Sequence, residues 1–125
     1  MSIRVVIAED EAIIRLDLKE TLLEEGYDVV GEAGRGDVAL DLIRSTRPDL
    51  AILDVKMPGM DGLEVARHVA DERICGVLVL TAFSPREVIE QARDAGAPAY
   101  LVKPYQKSDL GPAIEVAIGR FSRLP

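Results

Sequence analysis

What most constrains this chain is an alternation: five short, largely apolar, β-branched runs, each followed by a longer segment with helical spacing. The first run, residues 3–8, reads Ile-Arg-Val-Val-Ile-Ala, too short for a helix and apolar at successive positions, as a strand covered on both faces must be. We label it β1. Residues 12–25 follow as α1, with Ile13, Leu16, Leu18, Leu22 and Leu23 near helical spacing and Gly26 as the stop. The pattern repeats as residues 27–32 (β2), 37–46 (α2), 50–53 (β3, after the Arg47-Pro48 breaker), 62–72 (α3) and 77–80 (β4). Residues 85–95 are expected as α4, where Ser84 and Glu87 form a capping-box pair around a proline suited to the first helical position. Residues 99–102 (β5) and 108–121 (α5) complete the series, with Gly111 and Pro112 expected in the tolerant first turn of α5. Strands separated by helices pair in parallel through right-handed crossovers, so the pattern specifies an α/β fold with helices on both faces of one sheet.

Composition narrows the function. At 125 residues, 48% hydrophobic and 30% charged, the chain suits one packed domain rather than a disordered segment. Residues 1–125 are read as that domain, with no output domain in the chain. A net charge of −7 argues against this segment gripping nucleic acid, which requires clustered Lys and Arg. Cys75 stands alone, so neither a disulfide framework nor a cysteine metal cage forms within one chain. The apolar run at the start is too short for a signal peptide and nothing approaches a membrane span, so a cytoplasmic protein with no membrane contact is expected.

In an open parallel sheet, ligands bind beyond the carboxyl ends of the strands. Here β1 ends at Glu9-Asp10, β3 at Asp54, β4 at Thr81 and β5 at Lys103-Pro104, collecting three carboxylates, a hydroxyl and an ammonium on one edge. If β1 and β3 are neighbours, Asp10 and Asp54 lie within a few ångströms of one another, since adjacent strands are about 4.8 Å apart. Something cationic must hold them. A hard dication such as Mg²⁺ takes one or two carboxylates and leaves room for phosphate oxygens, a demand that Glu9, Asp10 and Asp54 meet. Lys103 is long enough to return its charge toward Asp54, and Thr81 offers a hydroxyl; a phosphoryl group needs such positioned donors. Asp54 is then the nucleophile.

Taken singly, each residue has a plainer explanation. Glu9-Asp10-Glu11 complements the N-terminal dipole of α1, Asp54 suits a loop start before Met57-Pro58-Gly59, Thr81 a turn, and Lys103 a solvated charge before proline. Their joint placement at four strand ends is what favours a site. His68 has no second His or Cys with which to share a transition metal and is read as surface. Cys75 is read as a small core or loop residue, and Met57 and Met60 as packing in the turn after β3. Tyr100, as a bare feature of β5, is expected to pack in the core.

At this point the chain resembles the receiver domains of two-component response regulators over essentially its whole length. The residues that carry the resemblance are Ile7-Ala8-Glu9-Asp10-Glu11, Leu53-Asp54-Val55-Lys56-Met57-Pro58-Gly59-Met60-Asp61-Gly62, Leu80-Thr81-Ala82 and Tyr100-Leu101-Val102-Lys103-Pro104. The resemblance implies a flavodoxin-like, doubly wound sheet of order 2-1-3-4-5 with five helices. It implies Asp54 as phosphoacceptor, Mg²⁺ held by Asp10, Asp54 and the backbone carbonyl of Lys56 with Glu9 acting through water, and Thr81 and Lys103 on the phosphoryl group. It also implies Tyr100 as switch aromatic, a cis Lys103-Pro104 bond, and a signalling module rather than an enzyme. Its partners would be a sensor histidine kinase and an output domain or second copy meeting the α4-β5-α5 face. Glu9 stands where such domains more usually carry Asp. The stretches Ala8-Glu9-Asp10-Glu11, Asp54-Val55-Lys56-Met57-Pro58, Leu80-Thr81-Ala82-Phe83-Ser84 and Ala92-Arg93-Asp94-Ala95-Gly96-Ala97 resemble, more narrowly, regulators with an ANTAR output that binds RNA in transcription antitermination. No such output follows Arg123-Leu124-Pro125, so a stand-alone receiver or a fragment is expected.

Three rivals compete. Gly34-Arg35-Gly36-Asp37-Val38-Ala39 matches a dinucleotide-binding fingerprint, with Asp54 twenty residues after Gly34, but follows the second strand and leaves Asp10, Thr81 and Lys103 unexplained. An Asp-nucleophile phosphohydrolase would want an acid where Lys56 stands. The third is a receiver fold that serves only as an interaction or dimerisation module, without phosphorylation; the complete set of site residues argues against it.

Overall fold

Residues 2–82 and 99–122 are described by the structure, a computed structural model. The strands are β1 (Arg4–Ala8), β2 (Asp28–Ala33), β3 (Leu50–Asp54), β4 (Gly76–Thr81) and β5 (Ala99–Val102), and the helices α1 (Ala12–Glu24), α2 (Gly36–Thr46), α3 (Gly62–Asp71) and α5 (Lys107–Ser122). The expected α4, with its Ser84 and Glu87 cap, lies outside the described residues. The strands form one sheet of order β2-β1-β3-β4-β5 in which each pair is parallel.

Alternation along the strands sorts the core into two layers. Val6, Ala8, Ala51, Leu53, Val77 and Val79 face α2 and α3, meeting Leu40, Ile43, Val65 and Val69. Val5, Ile7, Leu50, Ile52, Leu78 and Leu80 face the other way and meet Leu18 and Leu22 of α1 and Leu110 and Ile114 of α5. Because β1, β3 and β4 are covered on both sides, their apolar runs are continuous rather than alternating. Each fully buried Leu or Ile stabilises the fold by about 1.5–3 kcal/mol relative to exposure, which is why the three central strands anchor everything at their ends.

Three local expectations need correction. α1 buries only Leu18, Thr21 and Leu22, one stripe at i, i+3 and i+4, whereas Ile13, Leu16 and Leu23 fall on the outer side and are half-exposed or more. Pro112 of α5 is not in the first turn but in the second, where it removes the N–H that would pair with the carbonyl of Ser108. The start of the helix is held by Asp109 Oδ2, which accepts from the Gln106 N–H at 3.0 Å. Tyr100 is not in the core: it is 40% exposed on β5, which among the described strands pairs only with β4. Cys75, by contrast, is buried just before β4, and burial pushes its thiol up to about 12, so it is an inert core residue.

Candidate functional site

The sheet register builds the site. Ala8 of β1 pairs with Leu53 of β3, Asp54 with Leu80 of β4, and Thr81 with Val102 of β5. Glu9, which follows Ala8, is therefore level with Asp54, and Lys103, which follows Val102, stands one step beyond Thr81 on the same edge. The Glu9 N–H donates to the Ala33 carbonyl at 3.0 Å and the Lys103 N–H to the Thr81 carbonyl at 2.7 Å, which extends the ladder one residue beyond the strands. The Lys103-Pro104 bond is cis. Beyond β3 the chain turns into α3, whose first turn is capped by Asp61 Oδ1 accepting from the Glu64 N–H at 2.9 Å.

One carboxylate oxygen from each of Glu9, Asp10 and Asp54 lies within 4.8 Å of the others. Glu9 and Asp54 are buried and Asp10 is exposed, so the cluster is rooted in the protein and open on one side. Lys103 enters from β5 and places Nζ 2.9 Å from Asp54 Oδ1 and 3.0 Å from Glu9 Oε2. Burial raises the Glu9 carboxyl above its ordinary value; the Lys103 bond pulls it down and the nearby Asp54 charge pushes it up again. For Lys103, burial works against the ammonium, but its bonds to Asp54 and Glu9 prevail and hold its titration above the ordinary lysine range. A cavity of about 280 Å³ opens over this cluster, lined by Asp10, Asp54, Lys56, Thr81, Ala82 and Lys103.

All the residues singled out at the strand ends thus meet at one place, and Lys56 joins them from the loop after β3. Tyr100 stands apart, beside Ala113, Val116 and Arg120 of α5. The sequence reading missed two contacts. It aimed Lys103 at Asp54 alone, whereas the ammonium also binds Glu9 directly. It also passed over Arg15, whose Nη1 donates to the Glu9 carbonyl at 2.6 Å from the first turn of α1. Nothing in the spacing of an arginine on a helix announces a bond to a particular backbone carbonyl.

The model of the response regulator receiver domain matches residues 5–115. The chain belongs to the response regulator receiver domain family. This receiver is 59% identical over 121 residues to the transcriptional regulatory protein PdtaR of Mycobacterium tuberculosis, which covers 97% of the chain but only 59% of that protein's length. It is 35% identical over 117 residues to the sporulation initiation phosphotransferase F of Bacillus subtilis, covering 92% of this chain and 93% of that protein. Among solved structures, a CheY-like receiver domain protein from Methanospirillum hungatei superposes with a TM-score of 0.88 over 98% of each chain at 27% identity. The receiver is therefore a two-component signalling module, and among its described residues no helix is long and apolar enough to cross a membrane.

Proposed function

We propose that this receiver is a phosphorylation switch in which Asp54 is the phosphoacceptor and Mg²⁺ the cofactor. The observation that carries the reading is the buried Asp54 carboxylate lining the cavity, held by Lys103 Nζ at 2.9 Å and grouped with Glu9 and Asp10 within 4.8 Å. An Asp54 oxygen attacks the phosphorus of a phosphohistidine on a sensor kinase, or of a small acyl phosphate. A P–O bond to Asp54 forms as the bond to the donor breaks, and the donor leaves with the electron pair. Lys103 pairs with a phosphoryl oxygen as charge moves onto it, and Thr81 donates its hydroxyl.

The cluster fits a hard dication: its donors are carboxylate oxygens, two of them on buried residues, and the open side admits water and phosphate. Asp10, Asp54 and the carbonyl of Lys56 would hold Mg²⁺, with Glu9 acting through water. Bound there, the ion would neutralise charge on the phosphoryl oxygens.

Once Asp54 is phosphorylated, Thr81 moves toward the phosphoryl oxygens, and the exposed ring of Tyr100 turns into the space released. The α4-β5-α5 face changes, and an output segment or a second copy reads it. Moving such a switch from 1:99 to 99:1 takes about 5.5 kcal/mol of preference for the active form, which a few charge-assisted hydrogen bonds supply. The unit that switches spans residues 1–125, acts in the cytoplasm and makes no contact with nucleic acid itself. Its output is transcription antitermination through an RNA-binding ANTAR domain, a reading supported by 59% identity to a longer transcriptional regulatory protein.

Incubation with acetyl phosphate and Mg²⁺ is expected to add a single phosphate of about 80 Da by intact mass, and to add none when the metal is chelated. No adduct with Mg²⁺ under rapid quenching, from acetyl phosphate or a cognate kinase, would leave only the interaction module.

A further inference from the structure

The Gly34-Arg35-Gly36-Asp37 loop, between β2 and α2, has no part in the chemistry above, yet both loops of the acidic site lean on it. The β1–β3 pairing ends at Ala8 and Leu53, and the bonds to their other neighbours end at Glu9 and Val55, while Asp10 and Lys56 stand beyond those positions. Something else must hold the two loops. On one side, the Arg15 guanidinium crosses Gly34 to reach the Glu9 carbonyl at 2.6 Å, and a Cβ on Gly34 would come within 3.0 Å of Arg15 Nη1 and 3.8 Å of the Asp10 Cα. Arg15 is itself steadied by Glu32 of β2, at 3.5 Å, which also binds Lys19 at 2.8 Å. On the other side, the Gly36 N–H donates to the Pro58 carbonyl at 3.1 Å, and a Cβ on Gly36 would overlap the Met60 carbonyl. The Arg35–Asp37 ion pair, 3.1 Å long, sits against Gly59, whose φ of +81° makes the turn there.

We propose that the Gly34-Arg35-Gly36-Asp37 loop and Arg15 form a bracket that sets the separation of the 9–11 and 56–61 loops, and through it the Mg²⁺ affinity of the site. The inference rests on the phosphorylation reading. Mg²⁺ demands near-ideal octahedral geometry, so ligands on two loops must be held to a fraction of an ångström. Arg15 and Gly36 are positioning residues: neither offers a ligand. Of the glycines that imitate a dinucleotide fingerprint, Gly36 is required here because the Met60 backbone passes it, and Gly34 leaves room for the Arg15 guanidinium.

Arg15→Ala, Arg15→Lys and Gly36→Ala would be compared with the wild type by calorimetric titration with Mg²⁺ and by thermal unfolding in chelator. Partners that orient metal ligands are worth about 10–100-fold in affinity. We expect Arg15→Ala and Gly36→Ala to weaken Mg²⁺ about ten-fold, with Arg15→Lys between them and wild type, and the phosphate adduct to return at saturating Mg²⁺. Arg15 lies outside the core, so Arg15→Ala decides the matter should Gly36→Ala fail to fold. Folded variants whose Mg²⁺ affinity stays within about two-fold of wild type, even with a lower unfolding midpoint, would overturn the bracket as a metal-positioning device. A wild-type chain that binds no Mg²⁺ would overturn the phosphorylation reading, and the bracket with it.

Discussion

Replacing Lys103 with alanine is expected to destabilise the protein in chelator by about 3 kcal/mol at neutral pH, since removal of one partner leaves buried charge uncompensated. Two carboxylates, Glu9 and Asp54, would share one edge with no cation between them. The deficit should depend on pH with a definite sign. Burial already holds the Glu9 carboxyl above its ordinary 4.5. Without the Lys103 bond it rises further, and such a carboxyl favours the folded state only while protonated. The difference from wild type should therefore be small at pH values below 4.5 and grow as pH rises through the raised value. Added Mg²⁺ should recover part of it. Phosphorylation by acetyl phosphate should slow by about 100-fold or more, the worth of one preorganised donor on developing charge. Denaturant unfolding at several pH values reads the first effect, and intact mass against time the second. Equal stability at neutral pH would mean that the ammonium is no counterweight to the acids.

Gly62→Ala should act through the backbone of the phosphoacceptor. A Cβ at position 62 would overlap the Asp54 carbonyl oxygen and come within 2.8 Å of its carbon and 3.2 Å of the Val55 Cα. These atoms end a strand buried on both faces, so they cannot swing aside as a side-chain tip would. Overpacking of this kind costs about 1–3 kcal/mol, and here the upper end is expected. The Gly62 N–H bond to the Val55 carbonyl, 2.9 Å, would lengthen with it, moving Asp54 relative to Lys103. Both the unfolding midpoint and the phosphorylation rate should fall. A variant matching wild type in both would show that α3 can shift without disturbing the end of β3.

The sheet was legible because its strands are continuous apolar runs and its helices are periodic; turn residues mark most boundaries to within a residue or two. The candidate site was legible for a related reason. In a parallel sheet every strand ends on the same edge, so Glu9, Asp54, Thr81 and Lys103 could be collected without knowing any side-chain contact. What escaped were contacts that sequence spacing does not encode. Lys103 and Glu9 are 94 residues apart, and only the meeting of β1 and β5 residues over β3 shows that one ammonium serves two carboxylates. The exposure of Ile13 and Leu16 escaped because five apolar residues in α1 exceed what one helical stripe can bury. Tyr100 reads as core on apolarity alone, since a sequence does not reveal that its strand is paired on one side only among those described. Gly36 reads as part of a dinucleotide-binding fingerprint and Gly62 as the start of α3; their real constraint is the passage of another backbone within a Cβ radius.

Borohydride trapping tests the central claim, phosphoryl transfer to Asp54, most directly. An acyl phosphate on aspartate is reduced to homoserine, with loss of the phosphate, whereas a free carboxylate or a phosphate ester is not. After acetyl phosphate and Mg²⁺, followed by borohydride, peptide mass mapping should find homoserine at position 54, none at Asp10, and none anywhere in Asp54→Asn treated alongside. Homoserine at another acid, or a phosphate adduct that persists in Asp54→Asn at wild-type yield, would contradict the account.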